Sequence, residues 1–284
     1  MRMMIERNLK VFFRDKTAVF FSLLGVLIIL GLYVLFLGDL TVKGLGDLPG
    51  ARFLVDSWIM AGLLAVASVT TTMGAFGIMV EDRSNKVLKD FYASPLSRRS
   101  LAGGYIASAF IIGVIISLIT LVAAEAYILV YGGKLLPFVA LLKVLGCILL
   151  SVLASSSIVF FIISFLRTQN AFGTASSVIG TLIGFLTGIY MPVGVLPAPV
   201  QYVIKIFPIS HAGALFRQIM LEAPLANTFA GAPAETLRAF EVQMGVVFEF
   251  GGTAVSPLAH ILVLLASSAL FYALALWNIS RKRK

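Results

Sequence analysis

The segment that determines the fold class is FGTASSVIGTLIGFLTGIYMPVGVLPAPVQYVIKIFPISHAGALFR, residues 172–217. It begins with about 20 uncharged residues, the length that an α-helix needs to cross a bilayer core of about 30 Å. Prolines then interrupt it at Pro192, Pro197 and Pro208, and a straight helix cannot continue through them because each proline lacks an amide donor. Lipid does not tolerate unpaired backbone groups. We therefore predict a spanning helix, then a short re-entrant or interfacial turn, and a return to the membrane surface at 208–217.

The composition of the 284-residue chain is typical of a membrane protein, because 60% of its residues are hydrophobic and 12% are charged. Its mean hydropathy is +1.01, whereas soluble domains have about 25% charged residues. We predict a single membrane domain, residues 1–284, without a separate soluble catalytic domain. The net charge of +9 comes from basic residues beside the apolar segments, which indicates membrane orientation rather than nucleic-acid binding.

Six apolar segments are long enough to span a bilayer, and the amphipathic residues 1–16 are typical of a helix that lies in the membrane interface. The predicted spans are approximately residues 17–37, 56–80, 105–131, 137–165, 172–191 and 257–279. Lys and Arg are concentrated on the side that holds both termini and the loop 81–104. The positive-inside rule therefore predicts that both termini are in the cytoplasm and that the segment 192–256 is extracytoplasmic. We expect the membrane to be the plasma membrane.

The loop between the second and third spans, EDRSNKVLKDFYASPLSRRSL at 81–101, is the most charged internal part of the chain. Its charges alternate in sign, and Val87, Leu88 and Phe91 recur at helical spacing. A short charged helix with one apolar face suits docking onto a soluble partner protein. An ordinary solvated loop that orients the spans is the alternative. The candidate docking residues are Glu81, Asp82, Arg83, Lys86, Lys89 and Asp90.

Two charged residues fall inside predicted spans, Glu125 in the third and Lys143 in the fourth. Ionisable groups at that depth are costly and are usually paired or functional. Both lie at similar sequence distances from the turn between the two spans, so an antiparallel hairpin would place them at nearly the same depth. We predict a Glu125–Lys143 ion pair that fastens the hairpin. A carboxylate on a substrate or proton path is the functional alternative.

A motif of separated positions crosses the proline-broken segment: Leu196-Pro197, ten residues, Pro208-Ile209-Ser210-His211, five residues and Arg217. In residues and spacing it resembles the signature of ABC-2 type transporter permeases. A proline-broken helix in another membrane protein is the alternative. The spacing of His211 and Arg217 makes a poor metal site, and we expect both at the outer membrane surface. The residues assigned to a re-entrant segment and extracytoplasmic gate are Pro192, Leu196, Pro197, Pro208, His211 and Arg217.

The resemblance implies an all-α integral membrane fold with six transmembrane helices, as in ABC-2 and ABCG-like exporters. It implies that the loop 81–104 is a coupling helix that meets a separate ATPase subunit. Glu81-Asp82-Arg83 and Ser94-Pro95 fit the family pattern, whereas Ser84-Asn85 replaces its Gly-Thr pair. It also implies two permease copies, expected to form a homodimer in membrane lipid. The implied activity is export of an amphipathic or lipophilic cargo such as a drug, an antibiotic or a lipid, including multidrug efflux.

ATP and Mg²⁺ would bind the partner subunit, so the resemblance assigns this chain no cofactor. The sequence contains no GxxxxGK[ST] phosphate-binding loop, and we predict a transport subunit that does not hydrolyse ATP itself. Two rival functions stay open: a self-sufficient channel or secondary transporter that uses Glu125, and a membrane scaffold that transports nothing. Inverted repeats would support the first rival, and the sequence shows none. The motif names no cargo and does not distinguish a homodimer from a heterodimer of permeases.

Overall fold

A computed structural model of the chain describes residues 1–46, 48–93 and 97–281. Its α-helices are α1 (Arg2–Arg14), α2 (Lys16–Leu32), α3 (Gly38–Gly44), α4 (Ala51–Ser84), α5 (Val87–Ala93), α6 (Arg98–Val130), α7 (Phe138–Ile163), α8 (Gln169–Leu186), α9 (Ala198–Ile206), α10 (Pro208–Met220), α11 (Glu222–Thr228), α12 (Ala234–Gln243) and α13 (Pro257–Arg281). A π-helical turn, Tyr33–Leu37, follows α2, and a 3₁₀ turn, Val193–Val195, precedes α9. Strands β1 (Glu249–Phe250) and β2 (Thr253–Ala254) form a short antiparallel hairpin. The predicted all-α membrane fold is confirmed.

Five helices of the described chain are long and apolar enough to cross a membrane. They are Lys16–Leu35, Ala51–Ser84, Ser100–Val130, Phe138–Ile163 and Pro257–Asn278. These helices correspond to the first four predicted spans and to the last one. The remaining predicted span, residues 172–191, lies largely in α8, which has 18 residues. A helix of that length measures about 27 Å, close to the thickness of a bilayer core.

A glycine, rather than a proline, ends α8. The helix stops at Leu186, and Gly188 follows with a positive φ of 66°. The Gly188 amide donates to the Phe185 carbonyl and the Ile189 amide donates to the Gly184 carbonyl, both at 3.0 Å. This pattern is a Schellman motif, in which a glycine in the left-handed conformation terminates a helix. The helix therefore ends before the predicted boundary of the span.

The axis of the bundle is α4, which is buried along most of its length. Its neighbours α2, α6, α7, α8 and α10 pack around it. The buried sequence is rich in Ala, Gly, Ser and Thr, which let membrane helices approach closely. The Ser68 hydroxyl, for example, lies 2.8 Å from the Ser151 hydroxyl and 2.9 Å from the Ser155 hydroxyl of α7. We refer to the two ends of the bundle as the α5 end, where α1 and α5 lie, and the opposite α9 end.

The segment after α8 folds back against the bundle. α10 packs against α4, α7 and α13, and most of its residues are buried. Arg217 has an exposed fraction of 0% and His211 one of 4%. The prediction that residues 208–217, with His211 and Arg217, lie at the outer surface was therefore wrong. The physical reason is that their polar side chains find hydrogen-bond partners inside the bundle.

One face of α8 is largely exposed in the part of the chain that the structure describes, and we call it the unpartnered face. The helix contacts α4 on its other side. A Cβ added at Gly173 or Gly180 would meet no atom within 4 Å. A membrane helix with such a face packs against lipid or against another protein. The exposed residues of this face recur at helical spacing and include Gly173, Thr174, Ser177, Val178, Thr181, Leu182 and Phe185.

Candidate functional site

Three prolines of the proline-broken segment begin helical turns at the α9 end. Pro192 precedes the 3₁₀ turn, Pro197 precedes α9, and Pro208 is the first residue of α10. Proline suits these positions because the first turn of a helix leaves its amide donors unpaired anyway. Leu196 packs against a second buried apolar cluster, which includes Phe248. The prolines therefore shape a chain reversal, and the role of these residues as a gate stays a prediction.

Two side chains of the motif bind the end of α8. The Ser210 hydroxyl donates to the Leu186 carbonyl. Arg217 Nη2 donates to the Thr187 and Gly188 carbonyls at 2.9 and 3.1 Å. The C-terminal carbonyls of a helix lack intrahelical partners, and the helix dipole favours a cation there. Positions 210 and 217 lie about two helical turns apart, so α10 presents both side chains on one face.

Arg217 is a buried cation whose partners are carbonyl groups and an aromatic ring. Its guanidinium lies 4.9 Å from the centre of the Trp58 ring on α4, and the Trp58 indole donates to the Met244 carbonyl at 2.8 Å. No carboxylate among the described residues forms an ion pair with Arg217. Burial lowers the pKa of Arg217 to about 9, so the side chain keeps its charge near neutral pH. We infer that Arg217 holds α8, α4 and α10 together.

The two histidines of the chain, His211 on α10 and His260 on α13, form a buried hydrogen-bonded pair. Their Nδ1 atoms are 2.7 Å apart, and His211 Nε2 lies 2.9 Å from the Lys205 carbonyl. A carbonyl only accepts, so neutral His211 carries its proton on Nε2, and its Nδ1 accepts from Nδ1–H of His260. His260 Nε2 is then the acceptor that faces the Gln218 amide at 3.5 Å. Burial lowers the pKa of His211, which favours this neutral arrangement.

The histidine pair ties the segment formed by α9 and α10 to the last helix. The Lys205 carbonyl belongs to the last turn of α9, whereas His260 lies in the first turns of α13. The Lys205 ammonium donates to the Glu249 carbonyl at 3.1 Å, and Arg238 donates to the Glu249 carboxylate at 2.7 Å. The described residues hold no group of three or more metal-ligating side chains. We conclude that these polar contacts link α9, α12, α13 and the hairpin into one connected structure.

The α5 end contains an ion pair that the sequence analysis missed. Arg7 of α1 binds Asp82 of α4 through two hydrogen bonds, one of 2.7 Å, and the Tyr105 hydroxyl donates to Asp82 at 2.5 Å. The hydrogen bond to Asp82 raises the pKa of Arg7, whose guanidinium also lies 5.4 Å from the centre of the Phe91 ring. Asp82 is 4% exposed. The prediction that Asp82 lies on a docking surface was therefore wrong, because its carboxylate is buried and binds Arg7 and Tyr105.

Arg83, another candidate docking residue, also points inward. Its Nη1 donates to the Leu166 carbonyl at 2.5 Å, between α7 and α8. The chain then turns at Asn85, which ends α4, and Lys86 adopts a left-handed conformation with φ of 64°. Glycine is the residue that most readily adopts this conformation. The Ser84-Asn85 departure from the family pattern therefore precedes a turn with an unusual backbone.

Three of the exposed charges of the loop lie on and beside α5. Lys86, Lys89 and Asp90 are exposed, whereas Leu88 and Phe91 pack against the core. This is the arrangement expected of a short charged helix with one apolar side. The Ser94-Pro95 pair lies outside the described residues. Docking of a partner at Lys86, Lys89 and Asp90 stays a prediction.

Glu125 and Lys143 do not meet in the structure. Glu125 Oε2 accepts from the Leu136 amide at 2.9 Å, and its Oε1 is buried without a hydrogen-bond partner. The Lys143 side chain is exposed, and the ion pairs of the described residues do not include these two. Residues 132–137 form a non-helical connection that brings the Leu136 amide to the carboxylate. The prediction of a Glu125–Lys143 ion pair was therefore wrong, because the Leu136 amide is the partner of the carboxylate.

A second charged cluster, at the α9 end, surrounds Arg52. Its Nε donates to Asp56 at 3.1 Å, its Nη1 to Asp39 at 2.6 Å and its Nη2 to the Tyr127 hydroxyl at 3.1 Å. The guanidinium lies 4.3 Å from the centre of the Tyr131 ring. The spacing of four between Arg52 and Asp56 is a recognisable helical pair. The sequence offers no comparable signal for the other partners.

A groove of about 790 Å³ runs between α2, α4 and α8. We call it the α2–α8 groove. It is open along the side of the bundle where the unpartnered face of α8 lies. Glu81, predicted from its charge to dock a partner, lines its α5 end, and its docking role stays a prediction. The side chains that bound the groove include Phe12, Phe21, Met73, Glu81, Phe172 and Ser177.

Comparison with known proteins identifies one protein family. The sequence profile of a family described as ABC-2 family transporter protein matches residues 50–277. The match extends from the start of α4 into α13, and it includes the α5 loop and the proline-broken segment. No curated protein matches the chain. The match covers most of the chain and agrees with the resemblance found in the motif that ends at Arg217.

Proposed function

Because the chain belongs to the ABC-2 family of transporter proteins, we propose that it is the permease subunit of an exporter driven by a separate ATPase subunit. The observation that carries the proposal is the family match from residue 50 to residue 277. Members of this family are transport components of ABC transporters rather than catalysts. ATP and Mg²⁺ would bind the partner, since this sequence has no phosphate-binding loop.

The proposed docking site for the ATPase is the exposed side of α5. Lys86, Lys89 and Asp90 offer charges to a partner, while Leu88 and Phe91 anchor the helix on the bundle. A movement of the ATPase would therefore reach the bundle through packed side chains. Exposed charges also suit a contact that forms and breaks, because they need little desolvation.

The proposed assembly is a homodimer in which the unpartnered face of α8 lies near the second copy. Small residues such as Gly173 and Gly180 would allow close approach there. The path for the cargo would run between the two copies. An amphipathic or lipophilic cargo, such as a drug, an antibiotic or a lipid, suits the apolar walls of the α2–α8 groove. Multidrug efflux is included in this proposal.

The proposed location is the plasma membrane, with both termini and α5 in the cytoplasm. The basic residues of the chain support this orientation, because they are concentrated in residues 1–16, in the loop 81–104 and after residue 280. The segment 192–256 would then face the outside, where the α9 end could control release of the cargo.

The test is a pull-down of the tagged chain from its native host in nanodiscs, followed by mass spectrometry and an ATPase assay. We expect a P-loop ATPase to co-purify, and the double variant Lys86→Glu, Lys89→Glu to lose it. The matched control is Lys43→Glu, Lys134→Glu, which reverses two exposed charges at the α9 end. Absence of an ATPase under several gentle conditions, or equal loss in both double variants, would overturn the proposal.

A second candidate function rests on Glu125. Its Oε1 is buried without a hydrogen-bond partner, and an incompletely satisfied carboxylate within a span is a possible ion or proton site. The chain would then be a secondary transporter that needs no ATPase. Transport by the purified chain in liposomes, driven by an ion or proton gradient alone, would favour this candidate over the first.

A further inference from the structure

We propose that the α2–α8 groove binds lipophilic cations, molecules that carry one positive charge on an apolar body. This inference rests on the proposed function, because it names the class of cargo that the permease would receive. The groove has a volume of about 790 Å³. Binding sites for drug-sized ligands have volumes of about 300–1,000 Å³, so one such molecule fits.

The charges of the lining favour a cation. In the described part of the chain, the charged residues that line the groove are Asp15 and Glu81, and both are carboxylates. No described Lys or Arg lines it, although the whole chain has a net charge of +9. The lining is therefore opposite in sign to the rest of the chain. A cleft lined by one sign of charge concentrates ions of the other sign.

Both carboxylates lie at the α5 end of the groove, and Glu81 has no competing partner. Asp15 caps α2, since its Oδ1 accepts from the Thr17 and Ala18 amides at 2.9 and 3.0 Å. The Glu81 side chain is exposed, and the described residues provide no ion pair for it. Beside apolar walls the effective dielectric constant is lower than in water, so a cation there is attracted more strongly.

The remaining walls suit the apolar body of such a molecule. Phe12 and Phe21 lie on the side of α1 and α2, and Phe172 lies across the groove on α8. Aromatic faces attract cations within about 6 Å, and burial of the apolar body removes its surface from water. Phe21 is 61% exposed, so the groove is open at its side. An amphiphile dissolved in the membrane could enter from there.

The test compares two ions of nearly the same shape and opposite charge, tetraphenylphosphonium and tetraphenylborate. The full chain is purified in an uncharged maltoside detergent, without any ATPase, and binding is measured by equilibrium dialysis against empty micelles. We expect tetraphenylphosphonium to bind at least about tenfold more tightly than tetraphenylborate, the ratio expected for one effective charge contact. Equal binding of the two ions would overturn the proposal, because it would indicate a groove occupied by any apolar molecule, such as lipid.

Variants that remove a carboxylate test whether the positive charge of the ligand lies beside Asp15 and Glu81. The double variant Asp15→Asn, Glu81→Gln removes both charges but keeps an N-cap for α2, because Asn caps helices as well as Asp does. We expect it to weaken tetraphenylphosphonium binding roughly tenfold without weakening tetraphenylborate binding. The control is Glu6→Gln, which removes an exposed carboxylate of α1 that is outside the groove lining. An equal effect of Glu6→Gln would mean that overall charge, rather than the groove, determines binding.

A variant that fills the groove tests whether the apolar body of the ligand lies there. Gly180 lines the groove, and a Cβ added there meets no atom within 4 Å. Gly180→Leu should therefore fill the groove without disturbing the fold and reduce tetraphenylphosphonium binding at least about fivefold. Gly146→Leu is the matched control, since Gly146 also has open space around it but lies on α7, outside the groove. Unchanged binding by Gly180→Leu would contradict the proposed site.

The two proposals can fail separately. Selective binding of tetraphenylphosphonium without a co-purifying ATPase would retain the cation site and reject the ATP-driven permease. A co-purifying ATPase without selective binding would retain the permease and reject the cation site. The binding measurement needs no nucleotide, so a missing or inactive ATPase does not alter its result.

Discussion

The Arg7 guanidinium and the Asp82 carboxylate are in contact although 75 residues separate them in the sequence. The pair joins α1 to the end of α4, and Tyr105 adds a hydrogen bond from α6. Arg7 also touches the Phe91 ring of α5. A displacement of α5 by a docked partner would therefore act on α1 and α4 through one polar cluster.

Removal of Arg7 should destabilise the fold strongly. Arg7→Ala leaves the Asp82 carboxylate, whose side chain is 5% exposed, without its cation. Breaking a buried ion pair from one side costs about 3 kcal/mol, which should lower the unfolding temperature in detergent micelles. Arg2→Ala on the same helix is the control, because Arg2 has a side-chain exposure of 92% in its pair with Glu6. Similar melting temperatures for the two variants would show that the Arg7 pair adds no more than a surface contact.

Arg217→Lys should not behave as a conservative change. Lysine lacks the planar fork that binds the Thr187 and Gly188 carbonyls and stacks on an aromatic ring. We expect a loss of about 2 kcal/mol or more of unfolding free energy, measured as a lower melting temperature. Arg238→Lys is the control, since the Arg238 side chain is 38% exposed and surface ion pairs contribute little. Equal effects at both positions would contradict the role of Arg217 in holding the end of α8.

Acidification should destabilise the chain through His211. Burial lowers the pKa of His211 in the folded state below its usual value of about 6.5, so the unfolded state takes up a proton first as the pH falls. The contribution of neutral His211 is complete above a pH of about 6.5 and is lost as the pH falls toward the folded pKa. Melting temperatures measured from about pH 7.5 to about pH 5 should fall less steeply for His211→Asn. If the melting temperatures of the unmodified chain and of His211→Asn fell equally with pH, the histidine pair would not be the cause of the acid destabilisation.

Two glycine substitutions on and beside α8 should have opposite effects. Gly188→Ala forces alanine to a φ of 66° and brings its Cβ within 2.8 Å of Val193 Cγ2, so we expect a loss of about 1–2 kcal/mol. Gly180→Ala meets no neighbour and should stabilise the helix by about 0.5–1 kcal/mol. Melting temperatures of the two variants in the same detergent check this. A stabilising Gly188→Ala would mean that the Schellman turn does not end α8.

Local sequence signals predicted the helices well. Long apolar segments of the sequence determine where a helix can cross a bilayer. Five of the six predicted spans coincide with helices that are long and apolar enough to do so. The apolar side of α5 was predicted from Val87, Leu88 and Phe91, because helical periodicity does not depend on the rest of the fold. Leu88 and Phe91 pack against the core, and Val87 is not among the residues that do. The predicted span extends to the residue before Pro192, whereas α8 already ends at Leu186. The stop signal is Gly188, since a glycine after an apolar helix commonly ends it.

The polar contacts between distant helices could not be predicted, because they depend on how those helices pack. Asp82 carries the same charge as Glu81 next to it, and only the fold determines that Asp82 turns inward to Arg7 while Glu81 lines the groove. Depth in the membrane suggested that Glu125 and Lys143 would pair. Depth does not determine which face of α7 Lys143 occupies, nor the path of the connection that brings Leu136 to Glu125.

Variants of Glu125 separate the two candidate functions. Glutamine at this position can still accept the hydrogen bond from the Leu136 amide, so Glu125→Gln should leave the melting temperature and the transport rate nearly unchanged if the carboxylate is structural. Glu125→Leu removes the acceptor, and an unsatisfied buried amide costs about 1–3 kcal/mol. Lys143→Ala should have little effect, because Lys143 is exposed. If Glu125→Gln abolished transport while the melting temperature stayed unchanged, the carboxylate itself would be required, and the gradient-driven mechanism would replace the ATP-driven one as the better account.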